Sequence, residues 1–354
     1  MSYSHTILYS DADAGPYNLL SYEKEWRDRS STLAQRGYIL RPRYDPTWVP
    51  SWQNTSEDPE DCEDSIVLSP HYHIMDALQH ADQRRVSVKI VAQDSSEVAI
   101  ASFLSSQQDP ANHCVPVLDV ISDPVKPNKV LLVMPYLRPF NRPSFSAMGE
   151  VLDFIGQTLE GMQFMHSKGV AHRDLSSANI MMDARPLYPQ DHHPVQIDYS
   201  PDGQSEALHL RRLDHPVRYY FVDFGMSSQF VPGQPHLVLG EKCADHEPPE
   251  LSAKVPYDPF KVDIFTLGNV YQKEIMNVYA GFDLLQPLIR AMRSPNASLR
   301  PDAQQAIEMF KAARRYFNDQ ACRERVRNKT ETLPERIVYD AVDMARGGVR
   351  HLMG

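Results

Sequence analysis

Alternation of apolar and polar residues predicts that the first half of the chain contains β-strands. The clearest run is 85–91, Arg-Val-Ser-Val-Lys-Ile-Val, in which valine or isoleucine occupies every second position. A period of two residues is typical of a strand with one buried face. Two further apolar runs, around Val115–Val120 and Lys129–Met134, predict two more strands.

A helix is expected directly after the first of these strands. Asp94 or Ser95 has the side chain of an N-cap residue. Behind this cap, Glu97, Ala101 and Leu104 follow at positions i, i+4 and i+7, so they share one face of a helix.

The pattern becomes helical after Leu137. A set of apolar residues keeps a helical period before residue 172, namely Val151, Ile155, Leu159 and Met162. The apolar content rises again from Asp263, which predicts a second buried helix. We interpret these apolar residues as core.

The segment 42–52 is rich in proline and tryptophan. Its prolines exclude an α-helix, so an extended conformation is expected. Trp48 and Trp52 fit a strap that is pinned onto the folded body better than a peptide-binding surface. The acidic stretch Asn54–Asp64 is expected to be a solvated linker.

A polar stretch between Asp183 and Tyr219 contains Pro186, Pro189, Pro194 and Pro201, which indicates an inserted loop over 184–219. His192 and His193 lie within it. Adjacent histidines point apart on most backbones, so a solvated loop is favoured over a metal site.

Composition narrows the possible partners. The 354 residues carry a formal net charge of −10, whereas a nucleic-acid interface needs a basic face. An acidic chain also gains little from anionic membranes, and no apolar run approaches the roughly 18 residues of a membrane span. The N-terminus shows no signal peptide. We therefore expect no nucleic-acid or membrane partner and a cytoplasmic or nuclear location.

The four cysteines lie far apart and form no Cys-x-x-Cys pair. A structural zinc site and a disulfide framework are therefore not expected. Buried free thiols in a reducing compartment are the favoured interpretation.

Two short motifs carry the chemistry. In the run 172–179, His-Arg-Asp-Leu-Ser-Ser-Ala-Asn, Asp174 can accept the proton of an attacking hydroxyl, and Asn179 can turn back to offer its side-chain oxygen to a metal. Downstream, Asp223 precedes Phe224 and Gly225, and the glycine lets the backbone turn so that the carboxylate can chelate Mg²⁺. These spacings suit phosphoryl transfer.

The order and spacing of these motifs resemble those of the eukaryotic protein kinase family. More loosely, the chain resembles a kinase-like group of mushroom-forming fungi. The resemblance implies an α+β, bilobal protein-kinase-like fold, with a small β-rich N-lobe (61–137) and a larger, mainly helical C-lobe (138–310). Residues 1–60 would form an N-terminal extension, and 311–354 a basic helical tail.

The resemblance also assigns roles outside the two motifs. Lys89 stands where kinases carry the strand-borne lysine that bridges the ATP phosphates, and Glu97 would be its partner. The segment 134–137 fits the hinge that binds adenine. The residues expected at the adenine are Met134 as gatekeeper, Pro135 through its carbonyl, Leu137 through its N–H, and Met181 as the floor.

Two further matches have structural roles in the family. Glu250, in Pro248-Pro249-Glu250, would pair with Arg300. Asp263 would hydrogen-bond the backbone of the catalytic loop.

The chain departs from the family pattern in three places. No glycine lies between Ser65 and Lys89, so the glycine-rich loop over the phosphates is absent. Ser176 stands where serine/threonine kinases have a lysine. The segment before Pro248 lacks the threonine that normally touches the catalytic aspartate.

The interpretation we favour is an ATP- and Mg²⁺-dependent protein kinase that acts as a monomer on a protein hydroxyl, with serine or threonine favoured over tyrosine. A pseudokinase that serves as a binding or scaffold module is the main alternative, because of the missing glycines. A small-molecule kinase is a third possibility, against which Glu250 and Arg300 argue. Since no Ser, Thr or Tyr lies between Gln229 and Glu250, we also expect Arg173 to meet a carboxylate such as Asp245 or Glu247.

Overall fold

The computed structural model describes residues 18–67, 72–231 and 233–341. These residues form two compact units. The first contains the described residues up to Asp94, together with Val117–Tyr136 and Tyr188–Leu208, and the remainder forms the second. The first unit is rich in strands and the second is mainly helical, which confirms the predicted α+β class.

The first unit is built on a five-stranded antiparallel sheet in the order β1-β2-β3-β5-β4. One helix, α1 (Ser21–Gln35), precedes the sheet. The strands are β1 (Tyr38–Ile39), β2 (Ile74–Gln79), β3 (Arg85–Ala92), β4 (Asp119–Ser122) and β5 (Lys129–Pro135).

The alternation in 85–91 forms β3, the central strand of this sheet, and Val86 and Val88 are buried. The run Lys129–Met134 forms β5. The strand expected around Val115–Val120 begins later, at Asp119. Val115 itself belongs to the second unit, where its N–H donates to the carbonyl of Phe221.

Helix α1 packs into the core of the first unit through Trp26 and Leu33, both fully buried. Two buried ion pairs accompany it. The Arg29 guanidinium lies 2.7 Å from a carboxylate oxygen of Asp123, and Arg43 lies 2.9 Å from Glu23. Removing one partner of such a pair would leave a buried charge without compensation, which destabilises the folded state.

The Pro-Trp segment is held against the rest of the first unit. Trp48 packs against its core and donates from Nε1 to Asp64 Oδ2 at 2.9 Å. Ser51 donates to the other carboxylate oxygen at 2.6 Å. The prediction of a solvated linker up to Asp64 is therefore wrong at its end, because Asp64 is buried as the anchor of the strap.

The inserted loop is only partly solvated. His192 and His193 are buried, contrary to the prediction, because the backbone around them folds onto the ring of His193. His193 Nδ1 accepts from the N–H groups of Val195 and Gln196, and Nε2 donates to Glu63 Oε1 at 3.2 Å.

The second unit contains the other helices and a set of short strands. The helices are α2 (Ser96–Ser105), α3 (Met148–Ser167), α4 (Pro259–Tyr271), α5 (Gln286–Met292), α6 (Ala303–Arg314) and α7 (Asp319–Arg323), and residues 333–341 are also helical. The strands are β6 (Arg138–Pro139), β7 (Val170–Ala171), β8 (Ile180–Asp183), β9 (Arg218–Phe221), β10 (Ser228–Gln229), β11 (Val238–Gly240), β12 (Ser252–Tyr257), β13 (Tyr279–Ala280) and β14 (Arg327–Asn328).

Strands β6, β8 and β9 form a three-stranded sheet, and the others pair as β7 with β10, β11 with β12, and β13 with β14. Helix α3 is the main core element. Its four apolar residues at helical spacing are all buried, as predicted: Val151, Ile155, Leu159 and Met162. Asp258 caps α4 by accepting from the N–H of Phe260.

The four cysteines are buried and unpaired, as expected. Burial raises the pKa of the Cys243 thiol to about 11, so that this thiol is protonated near neutral pH. In the part of the chain that the structure describes, no helix is long and apolar enough to cross a membrane.

Candidate active site

The loop from His172 to Asn179 connects β7 to β8 and is held in shape by Asp263 of α4. Asp263 Oδ2 accepts from the N–H of His172 at 2.8 Å, and Oδ1 accepts from the N–H of Arg173 at 2.7 Å. Arg173 has a φ of +68°, which is strained for a side chain of this size. The buried carboxylate therefore stabilises an unfavourable turn, and the predicted role of Asp263 is confirmed.

His172 links this loop to the strand that leads to Asp223. Burial lowers the pKa of His172, so the imidazole is neutral. Its Nε2 donates to the carbonyl of Val222 at 3.0 Å, and its Nδ1 accepts from the N–H of Asp174 at 3.3 Å. The two hydrogen bonds fix the tautomer.

The carboxylate of Asp174 is held on both oxygens. Oδ1 accepts from the backbone N–H of Ala244 at 2.6 Å. Oδ2 accepts from Nδ2 of Asn179 at 3.0 Å, and the same amide also donates to the Asp174 carbonyl at 2.8 Å. Because Asn179 donates through nitrogen, its Oδ1 is the atom that can serve a metal.

Asn179 and Asp223 lie at the same end of the β8–β9 pair. Ile180 is opposite Phe221, and the N–H of Val222 donates to the carbonyl of Asn179 at 3.0 Å. Asp223 has a φ of +63° and is exposed, and its Oδ1 accepts from the N–H of Gly225 at 3.2 Å. Register alone thus brings the two predicted metal ligands together.

The Asp-Phe-Gly segment packs beneath helix α2. Phe224 is buried, with its ring centroid 5.2 Å from that of His172. A Cβ on Gly225 would lie 3.1 Å from Asp223 Oδ1 and 3.4 Å from Glu97 Oε2. Ser95 caps α2 by accepting from the N–H of Glu97, so the predicted cap is confirmed and Glu97 is positioned at this turn.

The second unit therefore brings Glu97, Asp174, Asn179 and Asp223 into one neighbourhood, although they come from three separate segments. Across the described residues, no three His, Cys, Asp or Glu side chains form a ready metal cluster. One carboxylate and one amide oxygen nevertheless suit Mg²⁺, which prefers oxygen ligands and keeps several of its waters.

The other predicted site residues divide between the two units. Lys89 is buried on β3, opposite Ile74 and Leu132 in the sheet. Met134 and Pro135 end β5 in the same unit. In the second unit, Leu137 is buried, and Met181 lies on β8 opposite Tyr220.

The expected ion pair of Arg173 is not formed. Its guanidinium donates to Ser228 Oγ at 3.0 Å and to the carbonyl of Leu239 at 3.1 Å. The prediction was wrong because Asp245 and Glu247 are already occupied by Asn269 and by two cations, Lys273 and Arg293.

The predicted ion pair between Arg300 and Glu250 is formed. Arg300 binds both carboxylate oxygens of Glu250, with Nη2 at 2.8 Å from Oε2, and its guanidinium stacks over Phe265. Arg300 is buried, so this bidentate pair is one of the fixed points of the second unit.

Two contacts of the loop 172–179 were not predicted from the sequence. The Ala244 donor is a backbone N–H, and no side-chain pattern reveals it. Ser177 Oγ donates to Glu274 Oε1 at 2.7 Å, across 97 positions of sequence.

Comparison with known proteins finds similarity to protein kinases. A family model described as protein kinase domain matches residues 73–282. A protein described as a light-sensor protein kinase, from Ceratodon purpureus, is 30% identical over 128 residues, which are 36% of this chain and 9% of that protein.

Two relatives from Schizosaccharomyces pombe also match. The serine/threonine-protein kinase ppk8 is 27% identical over 180 residues, covering 49% of this chain and 28% of that protein. The serine/threonine-protein kinase chk1 is 60% identical over 30 residues, covering 8% of this chain and 6% of that protein. The matched segments thus cover at most 28% of the length of these relatives.

Proposed function

Since the chain belongs to the protein kinase family, we propose that it transfers the γ-phosphate of ATP to a protein hydroxyl, with serine or threonine favoured over tyrosine. The observation that carries this proposal is the arrangement around Asp174. Its carboxylate accepts hydrogen bonds from Ala244 and Asn179. The loop that carries Asp174 is fixed by the buried Asp263. Two serine/threonine kinases among the relatives favour the acceptor class.

In this proposal Asp174 orients the acceptor hydroxyl and accepts its proton. Asn179 and Asp223 would hold Mg²⁺, which neutralises the charge of the phosphates when it is bound. Lys89 would steady the phosphates, and Glu97 would keep the ammonium charged and oriented. Because the Asp174 carboxylate is already held by Ala244 and Asn179 before the substrate binds, little reorganisation of this group accompanies transfer.

The adenine would lie against the segment that ends β5. We propose Met134 as gatekeeper, the carbonyl of Pro135 as acceptor, the N–H of Leu137 as donor, and Met181 as floor. The loss of the N–H at Pro135 removes no group that this scheme needs.

A pseudokinase is the second candidate, and one observation favours it. In the described part of the chain, β1 ends at Ile39 and β2 begins only at Ile74, so the two strands are too far apart in sequence for a short glycine turn to join them. Without glycines, backbone N–H groups cannot approach the phosphates closely. This long connection, together with Trp48 and Trp52 within it, supports our proposal of a place in the kinase-like group of mushroom-forming fungi.

Two measurements on the same preparations separate these candidates. The first is the shift in melting temperature on addition of Mg-ATP, and the second is transfer of ³²P from ATP to a panel of generic protein substrates. We expect wild type to be stabilised and to transfer phosphate. Asp174→Ala should retain most of the stabilisation and lose transfer by at least about a hundredfold, since it removes a group that acts in the transition state. Equal transfer by the two proteins would contradict the kinase assignment, whereas stabilisation without transfer in wild type would identify a pseudokinase.

A further inference from the structure

The segment before Pro248 contacts Asp174 through its backbone and not through a side chain. Kinases normally place a threonine there, but the residue that contacts Asp174 here is Ala244, through its backbone N–H at 2.6 Å from Oδ1. A backbone donor cannot be adjusted by a rotamer change. Its position depends on what holds the chain around it.

The residues that follow Ala244 are held by a compact polar cluster, which we call the Asn269 cluster: Asp245, Glu247, Asn269, Lys273 and Arg293. Asn269 is at its centre and is 1% exposed. Its Nδ2 donates to Asp245 Oδ2 at 2.6 Å and to Glu247 Oε2 at 3.2 Å. Its Oδ1 accepts from Arg293 Nε at 2.5 Å.

Further contacts connect the other members of the Asn269 cluster to one another. The other oxygen of Asp245 accepts from the N–H of Glu247 at 3.1 Å, which fixes the turn after Ala244. Lys273 lies 2.7 Å from Glu247 and 3.7 Å from Asp245, and Arg293 lies 3.5 Å from Glu247. The hydrogen bond from Lys273 holds the pKa of Glu247 below its usual range.

We propose that Asn269 is a positioning residue for Asp174: it holds Asp245, and through Asp245 it keeps the N–H of Ala244 on the catalytic carboxylate. The cluster then replaces the missing threonine. This inference rests on the proposed kinase function for its effect on turnover, but the mechanical link from Asn269 to Ala244 exists without nucleotide.

Asn269→Asp is the sharpest variant. It preserves size and the acceptor for Arg293, but it replaces the donor by a carboxylate that faces both Asp245 and Glu247. The matched rescue is the double variant Asn269→Asp with Asp245→Asn, in which the amide of residue 245 donates to the new carboxylate. The rescue restores the hydrogen bond between residues 245 and 269 in the reverse direction with the same number of heavy atoms, while Glu247 keeps Lys273 and Arg293 as partners.

Three quantities are measured on the full chain: the exchange rate of the Ala244 amide without nucleotide, the melting temperature, and kcat with KM for ATP. In Asn269→Asp we expect the Ala244 amide to exchange at least about tenfold faster and kcat to fall about ten- to a hundredfold, with KM for ATP unchanged. A small misplacement of a reacting group is sufficient for such a loss. The double variant should recover most of both effects.

The outcomes are distinguishable. An unchanged Ala244 exchange rate in Asn269→Asp overturns the mechanical link, and faster exchange with unchanged kcat overturns its importance for turnover. Parallel losses of kcat and melting temperature that the double variant does not recover would show a purely structural role. If wild type transfers no phosphate, the proposed function fails, and the Ala244 exchange rate still decides whether Asn269 positions this segment.

Discussion

At the scale of single residues, the candidate site depends on buried groups that hold backbone rather than substrate. Asp263 is the clearest case, since its two oxygens accept two backbone N–H groups of a loop that contains a residue with positive φ. Leaving a buried donor without an acceptor costs about 1–3 kcal/mol. The loop 172–179 is thus stabilised from α4, at a distance in sequence of about ninety residues.

Asp263→Ala should therefore lower the free energy of unfolding by roughly 2–5 kcal/mol, as two backbone donors and the ring of His166 lose their acceptor. Urea denaturation monitored by circular dichroism measures the change. The control is Asp283→Ala, at an exposed position, for which we expect a change within about 0.5 kcal/mol. Similar changes in both variants would contradict the role assigned to Asp263.

Buried histidines give the second prediction at this scale. Burial lowers the pKa of His172 and of His113 in the folded protein. Between the unfolded pKa near 6.5 and the lower folded value, the unfolded chain binds more protons. Stability is therefore fully present above about pH 6.5 and is lost as the pH falls below it.

The free energy of unfolding, measured in urea at pH 7.5, 6.5 and 5.5, should decrease at the acid end. His172→Gln removes one titrating group and should make the decrease shallower, even though the variant is less stable at every pH. An unchanged slope in His172→Gln would rule out this residue as a source of the pH dependence.

At the scale of elements, α1 is attached to the strand-rich unit by burial and by charge. Trp26 fills the core, and Arg29 reaches Asp123 at the end of β4. Both charges are fully buried, so each is costly without the other. The attachment is specific because only a matched partner satisfies the guanidinium.

Arg29→Met should destabilise the protein by about 3–5 kcal/mol, since Asp123 is left buried and unpaired. The double variant Arg29→Met with Asp123→Leu should recover a large part of that loss. Chemical denaturation of the three proteins and wild type forms a double-mutant cycle. The exposed pair Lys311–Glu308 provides the control, and Glu308→Ala is expected to change stability by less than about 0.5 kcal/mol. A double variant as unstable as the single one would contradict the explanation.

At the scale of the whole molecule, the segment Tyr188–Leu208 belongs to the first unit, although it lies between strands of the second. Its contacts with the first unit include Glu63, which binds His193, and Arg85, which lies 2.8 Å from Asp191. Tyr136 donates its hydroxyl to the carbonyl of Pro194 at 2.8 Å. The insertion is therefore an ordered part of the fold.

His193→Phe should release the insertion locally. The ring of His193 accepts from Val195 and Gln196, so both amides should exchange faster with solvent in the variant. Amide exchange resolved to single residues checks this, with the amide of Leu131 in β5 as the internal control. Exchange at Val195 and Gln196 that matches wild type would show that the backbone is held without this side chain.

The sequence by itself determined the local elements and the identity of the chemical groups. The alternation in β3, the cap at Ser95 and the helical spacing in α3 are read from neighbouring residues, because a strand or helix repeats over a few positions. The motifs around Asp174 and Asp223 were recognisable for the same reason. The partners of Asp263 and Arg300 followed from the family resemblance.

Only the tertiary structure decided which charges meet and which polar residues are buried. Arg173 met a hydroxyl and a carbonyl rather than Asp245, because Asn269, Lys273 and Arg293 had already taken that carboxylate and its neighbour Glu247. His193 and Asp64 were buried, since distant segments folded over them. Contacts between segments far apart in sequence leave no periodic pattern, and a backbone donor such as Ala244 leaves no trace in residue type.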